Sequence, residues 1–104
     1  MVNKMENTIM QLILIAGDAK CDVMEALQAA RKKDFAKANE LMDSANEKIL
    51  KIHRYQSEMM AKECSGEKIE VSILMVHAQD HLTTALVSYD LASEFIAYME
   101  EANK

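Results

Sequence analysis

The stretch Val76-His77-Ala78-Gln79-Asp80-His81-Leu82-Thr83-Thr84 gathers the residue types best suited to chemistry. At 100° per residue, His77, Asp80, His81, Thr84 and Ser88 share an arc of about 100° on a helix, and apolar residues cover much of the remaining surface. A single polar residue on such a helix is usually a satisfied core group. Five along one line require a hydrogen-bond network, an ion, a wet channel or solvent. Periodicity alone leaves a structural or solvated stripe and a functional site both open.

The chemistry offered is of two kinds. His77 and His81 have the i,i+4 separation that can set two imidazoles on one metal. The zincin motif HExxH uses the same spacing, but Ala78 stands where its general-base glutamate belongs, and no thiolate cluster supplies further ligands. A zinc protease is therefore not expected. The second kind is nucleophilic. Neutral imidazole attacks well near pH 7 because its reference pKa is about 6.5. A phosphorylated imidazole then needs hydrogen-bond donors or cations around its new negative charge. His81, Gln79 and Thr84 are candidates for that environment. On residue type alone, His77 and His81 are equal candidates for the reacting group.

Three periodic segments must position this stripe. The first, from about Glu6 to Lys32, carries Ile9, Leu12, Ile13, Ala16, Ala19, Val23, Met24, Leu27 and Ala30 at helical spacing. Asp34 reads as the N-cap of a second, with Phe35, Ala38, Leu41, Met42, Ala45, Ile49, Ile52 and Met59 on its apolar face. Lys37 occupies the position a capping box would give to Glu or Gln. No glycine or proline marks the break at Arg31-Lys32-Lys33-Asp34, so one continuous helix is the alternative there. The break around Cys64-Ser65-Gly66 is firmer. A third helix is expected from about Glu70 to Ala102, continuing through Ala78, Leu82, Ala85, Leu86, Tyr89, Ala92, Phe95, Ile96 and Met99. Gly17, inside the first helix, is either tolerated or marks a close approach by another backbone.

With 104 residues, no proline and two glycines, the chain predicts an all-α, single-domain fold over residues 1–104. Its helices are longer than a three-helix monomer needs, and the apolar positions of the third wrap beyond one stripe. Both features favour helices shared between subunits. A net charge of −5 argues against a nucleic-acid-binding face. The apolar run from Ile9 to Ala16 is too short to span a bilayer, so no membrane insertion is expected, and no signal peptide is recognised. Cys21 and Cys64 form neither a disulfide framework nor a CxxC half-site; they are expected to be an inert core thiol and an exposed loop thiol. The expected location is cytoplasmic.

The segment Val76-His77-Ala78-Gln79-Asp80-His81-Leu82 closely resembles the active-site signature of the IIA component of the lactose/cellobiose (N,N'-diacetylchitobiose) type in the bacterial phosphoenolpyruvate-dependent sugar phosphotransferase system. The resemblance extends through Ala16-Gly17-Asp18-Ala19, Asp34-Phe35-Ala36-Lys37-Ala38, His53 and Gln56, nearly the whole chain. It implies an antiparallel three-helix bundle subunit assembled as a homotrimer. It also implies a phosphoryl carrier in which His77 is phosphorylated by the carrier protein HPr and passes the group to a cysteine of the cognate IIB, working with the membrane component IIC. By the same resemblance Asp80 meets its symmetry mates around a buried divalent cation, with Mg2+ expected, one per trimer. His81 lines the cleft, and Gln79 orients or stabilises the region.

Two departures are visible. Lys33 replaces a glycine expected before Asp-Phe, and Thr83 stands where methionine commonly follows His-Leu. Neither removes a phosphoryl-transfer residue. Ala78, a position where lactose-type relatives tend to carry glycine, turns the expected sugar toward cellobiose, chitobiose or a related β-glucoside. The competing functional class is a non-catalytic helical assembly or regulatory protein whose polar stripe organises subunits. Acid-labile histidine phosphate, acquired from phosphorylated HPr, separates the two.

Overall fold

The computed structural model describes residues 4–104, which form three α-helices: α1 (Lys4–Arg31), α2 (Phe35–Cys64) and α3 (Ile73–Ala102). The two connections are short, so α2 runs antiparallel to α1. α3 returns parallel to α1, since Ile9 packs with Met75 and Ala78 at one end while Ala26 and Ala30 share a cluster with Ile96 at the other.

Helix α1 stops at Lys33, which adopts φ 66°. The amide of Lys33 donates to the Ala30 carbonyl at 2.9 Å and that of Asp34 to the Ala29 carbonyl at 3.0 Å. These two bonds make a Schellman ending, which satisfies carbonyls the helix would otherwise leave unpaired. The missing glycine is thus a left-handed position filled by lysine, and the continuous-helix alternative fails there. Asp34 then caps α2, its carboxylate accepting from the Lys37 amide at 3.2 Å. The end of α2 repeats the Schellman pattern with Gly66 at φ 101°: Gly66 donates to the Glu63 carbonyl and Glu67 to the Lys62 carbonyl, both at 3.1 Å.

Helix α3 begins later than its apolar pattern suggests. Ser72 is the N-cap and accepts from the Met75 amide, so Glu70 and Val71 lie outside the helix. The apolar run 71–76 therefore misplaces the start by about one turn. A cap without a glutamate three residues on leaves little for a pattern to find.

The core is built from small side chains. In its largest cluster eight of the twelve buried residues are alanines, among them Ala19, Ala26, Ala38, Ala45, Ala85 and Ala92. Helices that meet through alanine can approach closely, and few large side chains are enclosed: Leu82 and Val23 are the largest that are fully buried. Met24 and Phe95, expected on core faces, are instead exposed at 55% and 58%. Cys21 is likewise exposed and so is not a core thiol; Cys64 is exposed in the last turn of α2 and both are free.

The subunit is elongated, 53 × 29 × 18 Å, and exposes 7283 Å². A compact monomer of this mass would expose roughly 5,900 Å². Many of the exposed side chains are large and apolar. Ile73, Val76, Val87, Leu91 and Tyr98 form an exposed stripe along α3, and Met10, Leu14 and Met24 form another on α1. Gly17 lies on that outward α1 face. A β-carbon there would meet nothing within 4 Å, so no close approach within the chain accounts for the glycine.

Candidate functional site

One helical turn separates His77 from His81 on α3, and their rings meet edge to face with centroids 4.5 Å apart. The two Nε2 atoms are 3.1 Å apart. Behind them, Lys20 reaches across from α1 and sets its Nζ 3.0 Å from His81 Nδ1. His77 is exposed and His81 half-buried, which leaves His77 as the outer member of a Lys20–His81–His77 row.

Donor and acceptor roles follow along this row. An ammonium group only donates, so His81 Nδ1 accepts from Lys20 and the proton of neutral His81 resides on Nε2. That N–H donates to His77 Nε2, which therefore carries the lone pair, with the His77 proton on Nδ1. Burial lowers the His81 pKa from the ordinary 6.5; the Lys20 charge adds to the effect, as would a proton gained by His77, while Asp80 opposes it. The inner imidazole is thereby held neutral near pH 7, able both to accept from Lys20 and to donate to His77.

The other residues of the motif separate by face. Asp80 is exposed, and its position on α3 falls within the apolar stripe of Val76, Val87 and Leu91. Thr84 donates its hydroxyl to the Asp80 backbone carbonyl at 2.6 Å and does not reach the imidazoles. Gln79, two residues beyond His77, lies about 200° round the helix. Its carbonyl oxygen accepts from the Gln56 amide of α2, and its own amide approaches Met75 Sδ at 3.9 Å. Within one chain Gln79 ties α2 to α3 rather than facing His77. His53 is exposed on α2, with no hydrogen bond to the histidine pair among the described residues.

Lys20 was not among the residues that type and spacing singled out in the sequence. The signal was present: Lys20 falls in the middle of the arc that carries Ile9, Ile13, Ala16 and Leu27. A lysine on a core-facing stripe has its stem packed and its ammonium directed at something specific.

An exposed imidazole on a helix, backed by a second imidazole and a cation, is an arrangement that suits group transfer at a protein surface. The comparisons with known proteins agree. Residues 7–100 match the family described as "PTS system, Lactose/Cellobiose specific IIA subunit". The chain is 42% identical over 101 residues to the lichenan-specific phosphotransferase enzyme IIA component of Bacillus subtilis, covering 97% of this chain and 92% of that protein. It is 43% identical over 86 residues to the lactose-specific EIIA component of Staphylococcus epidermidis, 83% of each chain. Among solved structures, the cellobiose-specific enzyme IIA of Bacillus anthracis superposes with a TM-score of 0.91 at 42% identity, covering 99% of this chain and 94% of that one. The IIA(Chitobiose) of Escherichia coli, solved in complex with HPr, gives 0.84 at 30% identity, over 99% and 100% of the two chains.

The chain belongs to the lactose/cellobiose-specific IIA family of the phosphotransferase system. It is a phosphotransferase component that acts through a phosphohistidine and works between HPr and the IIB and IIC components of such a system. Among the described residues no helix is long and apolar enough to cross a membrane.

Proposed function

We propose that His77 is the phosphoryl acceptor. The observation that carries this reading is the exposure of His77 together with its Nε2 lying 3.1 Å from His81 Nε2, which orients the ring. In the transfer, His77 Nε2 forms the new N–P bond as the P–N bond to the HPr histidine breaks, and the electron pair of that bond stays on the donor ring. The His77 proton remains on Nδ1. His81 must release the lone pair as phosphorus approaches, and its Nε2–H is then free for a phosphoryl oxygen. In delivery, the IIB cysteine thiolate forms the S–P bond as the His77 Nε2–P bond breaks, and that bond's electron pair returns to Nε2. Alignment and charge stabilisation supply most of the catalysis in such a step.

The apolar stripes on α1 and α3 support a homotrimer, with α3 at the shared centre. Asp80 is the one carboxylate of the α3 stripe near the level of the histidines. No side-chain hydrogen bond or ion pair engages it, and no cluster of three or more His, Cys, Asp or Glu suited to a metal exists within one chain, among the described residues. Three Asp80 carboxylates, one from each subunit, would give hard oxygen donors that suit Mg2+. A divalent cation at that point would neutralise carboxylates that otherwise repel.

The relatives are named for lichenan, lactose, cellobiose and chitobiose. Near-equal identities to the lichenan, lactose and cellobiose proteins do not rank these sugars. Ala78 supports cellobiose, chitobiose or a related β-glucoside, and the IIB and IIC partners with which the chain exchanges phosphate decide the matter. The deciding experiment is incubation with phosphorylated HPr followed by peptide mapping at neutral to alkaline pH. Acid-labile phosphate on the His77 peptide is expected; phosphate on the His53 peptide, or phosphate retained by His77→Gln, rejects the assignment.

A further inference from the structure

We infer that Lys20 is a positioning residue for phosphoryl transfer: through its 3.0 Å contact with His81 Nδ1, it fixes the tautomer that turns the His81 Nε2–H toward the reacting nitrogen of His77. This rests on the reading of His77 as the acceptor.

The argument is one of hydrogen-bond directions. An isolated neutral imidazole exchanges its proton between Nδ1 and Nε2. If His81 carried its proton on Nδ1, that N–H would point at an ammonium with nothing to accept it, and His81 Nε2 would have no proton to donate to His77 Nε2, 3.1 Å away. Lys20 removes that alternative, because its Nζ has donors only. His81 is then a donor toward His77 before phosphorylation and toward a phosphoryl oxygen after it. The ammonium behind the ring also polarises that N–H, strengthening the bond as charge builds on the phosphoryl oxygens. Among the described residues Lys20 makes no hydrogen bond to His77, so it acts through the His81 ring between them.

The placement of Lys20 suits this task. It is half-buried on α1, on the arc carrying Ile13, Ala16 and Leu27, so its stem is held by packing while its head meets α3. The contact also crosses 61 positions of sequence, from the first helix to the third, and so forms only once the bundle is closed.

Two measurements test the assignment on the full chain. Long-range 1H–15N correlation of the imidazole rings separates protonated from unprotonated nitrogens and reports the His81 tautomer without any phosphoryl donor. Wild-type protein should show His81 with Nε2 protonated. Lys20→Met should move it toward a tautomer mixture, and Lys20→Arg, which retains a cationic donor, should restore the wild-type pattern. In single-turnover reactions with phosphorylated HPr, Lys20→Met should lower the transfer rate constant about tenfold, the scale of one hydrogen bond to a charged group, with recovery in Lys20→Arg. An unchanged His81 spectrum in Lys20→Met overturns the inference. So does weakened HPr binding with an unchanged rate constant at saturation, which would make Lys20 a docking charge. The spectrum does not depend on which histidine is phosphorylated, so peptide mapping that rejects His77 would be recognised separately.

Discussion

Lys33 and Gly66 occupy the same place in the same helix-ending motif, one at φ 66° and the other at φ 101°. Each amide donates back to the third residue before it, and the next amide donates five residues back. A β-carbon in the left-handed region costs roughly 1–2 kcal/mol, and the chain carries that cost at Lys33 but not at Gly66.

Lys33→Gly should therefore stabilise the protein, though by less than the strain relieved. Glycine's greater freedom in the unfolded chain offsets roughly 0.4–1 kcal/mol, leaving a net gain of about 0.5 kcal/mol. Gly66→Ala should destabilise by about 1 kcal/mol, entirely through backbone strain, since an added β-carbon there meets nothing within 4 Å. Urea unfolding midpoints at one protein concentration check both signs.

His77→Gln should accept no phosphate yet keep its helicity and assembly, with stability within about 0.5 kcal/mol of wild type, as expected for an exposed side chain. His81→Gln should still be phosphorylated but about 100-fold more slowly, the usual scale for losing one aligned donor. Rapid-quench kinetics with phosphorylated HPr distinguishes the two variants. Equal rates for His81→Gln and wild type would remove His81 from the mechanism.

Asp80 variants order by charge and reach. If the proposed trimer holds a cation between its Asp80 carboxylates, chelation should weaken it, because a ligand bound only by the assembled state stabilises that state. Asp80→Leu should be indifferent to chelator, since an apolar contact replaces the charged centre. Asp80→Glu should assemble poorly despite its charge, because one added methylene displaces the ligand oxygens. Sedimentation with and without chelator tests the order, and identical masses throughout would reject a metal-coupled interface.

A separate link between α1 and α2 is pH-dependent. Lys48 Nζ lies 2.7 Å from Asp22 Oδ2, which also accepts from the Ser44 hydroxyl at 2.9 Å. The hydrogen bond to Asp22 raises the Lys48 pKa above its ordinary 10.5, outweighing desolvation. A base whose pKa rises on folding contributes stability that is fully present below its unfolded pKa and lost as pH climbs through the folded one. Asp22→Asn should therefore cost at most about 1 kcal/mol at neutral pH, as befits a partly exposed pair. The difference from wild type should begin to shrink near pH 10.5 and vanish only beyond the raised folded pKa, a trend that denaturant titrations across alkaline pH would reveal.

The helices were legible in the sequence because Ile9, Ala16, Val23, Ala45, Ile52, Leu82 and Ala92 recur at the spacing of one buried face, and all are buried. The start of α3 was less legible, because Val71 and Ile73 are apolar but exposed at 71% and 89%. Periodicity cannot tell an apolar residue that faces the core from one that faces outward. The outward positions Met24 and Phe95 were misread for the same reason. In the site, the His77–His81 pairing followed from i,i+4 spacing within a single helix. Lys20 reaches the pair from α1 while Gln56 meets Gln79 from α2, and only the packed bundle reveals these partners.

The alanine seam between the helices determines which errors in replication the fold survives. One nucleotide change turns an alanine codon into Gly, Ser, Thr, Val, Pro, Asp or Glu, and only glycine is smaller. At Ala19, Ala38, Ala45 and Ala85, all without exposed surface, nearly every available change inserts bulk or a charge between two backbones. Overpacking of that kind typically costs 1–3 kcal/mol. Cavity formation, the usual injury to a core, is scarcely available there because alanine has so little side chain to lose. Genetic drift in this chain is therefore confined chiefly to its larger and outward-facing residues, while its smallest side chains are the least free to vary.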